Sequence, residues 1–146
     1  MTFNLSLVLT YPARVERDGP ADWAIVFPDV PEAVSGADTE AEAWAQAAEV
    51  LALALCSYPA RKLPFPKPSR PGKRDRMISI PVTHAAKLFI RQAMAEQDLS
   101  VANLARLAKT DHKSARRIIA LSHKTRMEPL ESVLAMLGVR TALMAA

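Results

Sequence analysis

Leu99-Ser-Val-Ala-Asn-Leu-Ala-Arg-Leu-Ala-Lys-Thr-Asp-His-Lys-Ser-Ala-Arg-Arg-Ile-Ile119 holds two short helical patterns a few residues apart. Ser100 is a good N-cap, and Leu104, Leu107 and Ala108 follow at helical spacing, predicting a helix over Ser100–Ala108. Asp111 is a second N-cap. Ala115, Ile118 and Ile119 then repeat at the period of a helix over Asp111–Leu121. Two such helices joined at Lys109-Thr110 have the form of a helix-turn-helix. With Ala115, Ile118 and Ile119 facing inward, His112, Lys113, Ser114, Arg116 and Arg117 are left to face outward. In a DNA reader of this form, the N-terminal part of the second helix meets base edges. Arginine can bind guanine bidentately. Lys124 and Arg126 follow in the next loop, where phosphate contacts are usual, and Ser100 and Asn103 open the first helix.

Outward from this motif, the rest of the C-terminal part also reads as helix. Leu88, Phe89, Ala93 and Met94 belong to a helix from His84 to near Gln97. Pro129 suits the first position of a last helix with Leu130, Val133, Leu134 and Leu137, and Gly138 is a natural stop.

The N-terminal part has a different period. Phe3, Leu5, Leu7 and Leu9 alternate with Asn4 and Ser6, and the extended pattern continues through Tyr11-Pro-Ala-Arg-Val-Glu-Arg17. Asp18-Gly19-Pro20 is turn chemistry, Trp23–Phe27 a second strand and Ala33–Gly36 a short third. Thr39 with Glu42 forms a capping box before an apolar stripe of Trp44, Ala47, Ala48, Leu51, Leu55 and Tyr58. The expected fold class is α+β: a small antiparallel sheet with one helix across it, then an all-α helix-turn-helix domain. The expected boundaries are 1–58 for the sheet domain, 59–76 for a connector and 84–146 for the helical domain. The connector holds five of the eleven prolines and seven basic residues. Met77–Val82 reads as an edge strand, with Pro81 at its end, that could return to the sheet or pair with another chain.

Charge divides at the same place. Residues 1–57 carry two basic and nine acidic side chains, a net −7, and the remainder carries 17 basic and six acidic, a net +11. A basic half points to a polyanion such as nucleic acid, and an acidic half to a basic partner. The single cysteine, Cys56, excludes an internal disulfide framework and reads as a small buried thiol. The N-terminus lacks the basic region of a signal peptide, and no apolar run is long enough to cross a bilayer, so a cytoplasmic location is expected.

Several stretches taken together resemble a known family over nearly the whole chain. They are Tyr11-Pro-Ala13, the Asp18-Gly19 turn, Trp23-Ala-Ile-Val-Phe-Pro-Asp-Val-Pro31 and Gly36-Ala-Asp-Thr-Glu-Ala-Glu-Ala43. In the C-terminal part they are Leu99–Ala105, Ala115–Ile119, His123-Lys-Thr125 and Leu130-Glu131 through Leu137-Gly138. Their order and spacing resemble HicB-type antitoxins of bacterial HicA–HicB toxin–antitoxin pairs. The resemblance implies a truncated RNase H-like N-terminal domain that binds the toxin, a small basic ribonuclease. It also implies a C-terminal domain that binds operator DNA and represses the operon. The expected toxin-binding residues are Asp22, Trp23, Asp29 and Glu32. The sequence departs from the family pattern at Glu32, where glycine is usual, and at Asp98 and Lys109, which occupy glycine turn positions.

Other functions compete. A nuclease needs carboxylates converging on metal ions. Asp18, Asp22 and Asp29 show no spacing that forces this, and His84, His112 and His123 lack paired ligand spacing, so no catalytic residue, metal or cofactor is expected. A free-standing repressor with an N-terminal dimerisation or sensing domain would share the DNA-binding half. A single-strand RNA binder would offer stacking aromatics, and the basic half holds only Tyr58, Phe65 and Phe89. One reading motif per chain implies self-association, as a dimer or tetramer.

Overall fold

The structure, a computed structural model, describes residues 9–20 and 22–141. The expected strand pattern at Phe3–Leu7 lies outside them. The element order is β1 (Thr10–Arg17), β2 (Trp23–Val26), β3 (Val34–Ala37), α1 (Glu40–Leu55), α2 (Ser57–Ala60), β4 (Arg76–Ser79), α3 (Val82–Glu96), α4 (Val101–Leu107), α5 (His112–Ile119) and α6 (Met127–Met136). The fold is α+β. The described chain divides into a sheet unit, residues 9–57 with 65–81, and a helical unit, residues 58–64 with 82–141.

In the sheet unit four antiparallel strands run in the order β3-β2-β1-β4. The strand expected at 77–82 pairs within its own chain, Tyr11 opposite Ile78 and Ala13 opposite Arg76, and is shorter than expected. It ends at Ser79, and Val82, expected as strand, opens α3. β1 tolerates Pro12 because its two halves have different partners. Residues 10–13 pair with β4, and the ladder to β2 begins only at Arg14. The missing N–H of Pro12 therefore removes no bond to β2. Tyr11, Ala13, Ile25 and Phe27 point inward from the sheet, and Ala43, Ala47, Leu51 and Leu55 line the buried stripe of α1. Thr39 caps α1 through Glu42 N (3.2 Å), and the Glu42 carboxylate returns to Asp38 N (3.1 Å), one residue before the expected box partner. Cys56 is half-buried rather than buried.

The proline-rich stretch folds back along the sheet unit from Phe65 onward. Tyr11 Oη donates to Pro66 O (2.7 Å), and Asp29 accepts from Ser69 N (2.9 Å) and Oγ (3.0 Å). Asp75 accepts from Gly72 N (2.7 Å) and pairs with Arg14 (3.2 Å). This return changes the charge division. By folded unit the sheet side carries seven basic and ten acidic residues, a net −3, and the helical side twelve and five, a net +7.

In the helical unit α3 packs against α5 and α6, and α4 packs against α5. The core is Leu88, Ile90, Ala93, Leu104, Ala115, Leu130 and Leu134, with Phe89 at its margin. Two helices differ from expectation. α5 stops at Ile119, before Leu121, and α6 opens at Met127 behind Arg126, so Pro129 is its third residue. The N–H groups of the first three residues of α6 have no intrahelical acceptor, so proline fits at the third as well.

Asp98 and Lys109 adopt left-handed conformations, φ 52° and 51°, although neither is glycine. Each closes a Schellman cap. Leu99 N reaches Met94 O (2.9 Å) and Thr110 N reaches Ala105 O (2.9 Å). The left-handed region costs an L-residue about 1–2 kcal/mol, against about 0.5–1 kcal/mol of extra backbone entropy for glycine. Lys109→Gly is therefore expected to raise stability by about 0.5–1 kcal/mol, read as an upward shift in thermal midpoint. No gain would mean that the Lys109 side chain offsets its own strain.

Candidate functional site

The helical unit presents a groove of about 820 Å³ along α5. Arg91, Lys113, Arg116 and Arg117 line it with His112, Ser122 and His123, and none of its lining residues is acidic. α5 can expose these cations because its inward positions are small or aliphatic. Ala115 is fully buried and Ile118 and Ile119 are half-buried. His112, Lys113, Arg116 and Arg117 are exposed, as are Lys124 and Arg126 beyond the helix. Arg116 and Arg117, adjacent on the helix, diverge by about 100°.

The remaining residues expected on this surface make the helix ends. Ser100 and Asn103 form a reciprocal cap on α4. Asn103 N donates to Ser100 Oγ (3.1 Å), and Ser100 N donates to Asn103 Oδ1 (2.8 Å). Asp111 caps α5, accepting from Ser114 N (2.7 Å) and Ser114 Oγ (3.0 Å). These bonds hold the Asp111 carboxyl below its ordinary value. The hydroxyl of Ser114 is thus engaged in starting α5.

Two cations that the sequence reading passed over finish that helix. Lys87 Nζ donates to Arg117 O (3.2 Å), Ala120 O (2.6 Å) and His123 O (2.5 Å). Arg91 Nε donates to Ile119 O (2.7 Å). Burial and the neighbouring Arg91 guanidinium pull Lys87 below the usual lysine range. The signal was a single lysine inside the apolar run Ala85-Ala-Lys-Leu-Phe-Ile90, with a second cation one turn later.

The sheet unit has an acidic cleft of about 450 Å³. Asp18, Asp22, Asp38 and Glu42 line it with Trp23 and Gln46. Strand register builds it. Trp23 lies opposite both Arg17 and Ala37, so the residues just beyond these pairs, Asp18, Asp22 and Asp38, meet at one end of the sheet. Trp23 is half-buried under the Arg17 guanidinium, which stands 5.2 Å from the ring centroid. Of the four residues expected at the toxin surface, Asp22 and Trp23 are in this cleft. Asp29 and Glu32 lie on the turn between β2 and β3, where Asp29 holds Ser69. Among the described residues, no group of three His, Cys, Asp or Glu side chains could hold a metal ion, and no helix is long and apolar enough to cross a membrane.

An acidic sheet unit and a basic helical unit in one chain describe a protein with two charged surfaces of opposite sign. Comparison with known proteins places that architecture. Residues 10–89 match the family model of the HicB-like antitoxin of bacterial toxin–antitoxin systems. The chain is 36% identical over 141 residues to antitoxin HicB 2 of Photorhabdus laumondii, covering 97% of this chain and 99% of that protein. It is 25% identical over 135 residues to antitoxin HicB of Escherichia coli, covering 92% and 98%. The chain belongs to the HicB-like antitoxin family.

Proposed function

We propose that this antitoxin acts through two surfaces. The sheet unit, the truncated RNase H-like domain that the family resemblance implies, binds and neutralises a small basic ribonuclease toxin of the HicA kind. The α4–α5 pair binds operator double-stranded DNA and represses the chain's own operon. The observation that carries the reading is the groove on α5, lined by four Lys/Arg and no acid, set against a carboxylate-lined cleft in the sheet unit. Opposite charge steers a basic partner to the cleft, and a cationic groove favours the phosphate backbone.

At the cleft Asp18, Asp22, Asp38 and Glu42 supply the attraction and Trp23 an apolar anchor, with Asp29 and Glu32 beside them on the next turn. On the groove one of Arg116 and Arg117 meets a base edge and the other a phosphate. Lys113 and His112 stand at the helix start, where bases are reached. Ser100, Asn103 and Ser114 contribute by fixing helix starts, and Lys124 and Arg126 by holding phosphates. The protein works in the cytoplasm as a dimer or tetramer, because one motif grips one half-site. It performs no catalysis of its own.

Co-expression with the product of the neighbouring gene tests the reading. A complex of the two proteins that survives purification, in which the neighbour's ribonuclease activity is silent, is the expected result. A free-standing repressor would elute alone.

A further inference from the structure

The helices of the helical unit do not all end alike. α3, α4 and α6 each close their own Schellman cap, with Asp98, Lys109 and Gly138 at positive φ. The 6→1 bonds are Leu99 N to Met94 O (2.9 Å), Thr110 N to Ala105 O (2.9 Å) and Val139 N to Leu134 O (2.8 Å). α5 does not close such a cap. Its C-cap, Ala120, is extended at φ −82° and ψ 120°, and the chain leaves directly. The last carbonyls of such a helix need donors from elsewhere.

We propose that Lys87 is the external C-cap of α5 and the positioning residue that aims this helix, an inference that rests on α5 being the DNA reader. The ammonium has three donors and meets three carbonyls, those of Arg117, Ala120 and His123. A cation at this end of a helix also faces the negative pole of its dipole. At 1% exposure, Lys87 cannot itself reach a phosphate. Its three acceptors span the last turn of α5 and the start of the segment that carries Lys124 and Arg126. One side chain on α3 therefore locks the reading helix and the following loop into a single geometry. Arg91 adds a bond to Ile119 O but also lines the groove, so Lys87 alone separates aiming from contact.

The test uses the full chain, a duplex carrying its own promoter region and a scrambled duplex of equal length. Lys87→Met keeps the length and removes the donors. It is expected to weaken promoter binding about ten- to hundred-fold, the cost of one or two misaligned base contacts. Scrambled-duplex binding should fall far less and the salt slope should stay the same, because every phosphate-holding cation is still present and exposed. Amide exchange at Ala120 and His123 should quicken. Lys87→Gln, which keeps part of the cap, should be intermediate in both readouts, and it carries the comparison if the Met variant does not fold. Unchanged promoter affinity, equal losses on both duplexes, or a salt slope shallower by about one unit would each overturn the proposal. Should the unaltered chain bind neither duplex, the DNA reading fails and exchange alone decides the cap. Faster exchange then supports it, and unchanged exchange refutes it.

Discussion

Replacing Arg116 and Arg117 together by alanine is expected to remove about 2–4 kcal/mol of operator affinity, roughly 30- to 1000-fold. Both side chains are exposed on the cationic groove, and neither supports the core. Fold and melting temperature should therefore hold. The single changes should differ in kind. Losing the base reader relaxes specificity at one position, while losing the phosphate contact weakens all sequences alike and makes the salt slope shallower by about one unit. Toxin binding should be untouched, since these residues belong to the helical unit. Wild-type operator affinity in the double variant, measured by fluorescence anisotropy across salt, would remove α5 as the reader.

The reciprocal change is on the sheet unit. Asp22→Lys with Asp38→Lys replaces two exposed carboxylates of the cleft by ammonium groups. Like charges brought together at an interface cost several kcal/mol, so toxin affinity should fall by about 100-fold or more. The loss should show first in the association rate and shrink as salt rises, because screening acts within about 8–10 Å. Neither carboxylate caps α1, which Thr39 starts. A variant that still holds the toxin as tightly would move the interface elsewhere, with the turn carrying Asp29 and Glu32 as the next surface to alter.

The elements were legible wherever period and caps agreed. Ser100 and Asp111 announced α4 and α5, and Thr39 announced α1. What escaped was one local boundary and several non-local arrangements. The Pro129 signal placed the start of α6 too late, because proline is tolerated anywhere in a first turn. Proline is ordinarily excluded from a strand flanked on both sides, and the extended pattern through Pro12 gave no hint of how β1 accommodates it. Only the split of β1 between two partners makes it harmless. The linear charge division overstated the contrast, because Lys67, Arg70, Lys73, Arg74 and Arg76 return to the acidic sheet.

The sites follow the same division. The outward face of α5 could be read from helical periodicity alone. The acidic cleft could not, because Asp18, Asp22 and Asp38 meet only through the register of three strands. Lys87 was hidden for a related reason. Its acceptors are backbone carbonyls 30 to 36 residues away, and carbonyls leave no mark in a sequence.

The central claim is that one chain keeps a toxin surface and a DNA surface on separate units. The direct measurement is a double comparison on the full chain. Affinities for the toxin and for operator DNA are taken for the unaltered protein, for Arg116→Ala/Arg117→Ala and for Asp22→Lys/Asp38→Lys. The expected result is a clean exchange: the first variant loses DNA and keeps toxin, and the second loses toxin and keeps DNA. Folded variants that lose both partners together, or neither, would contradict it.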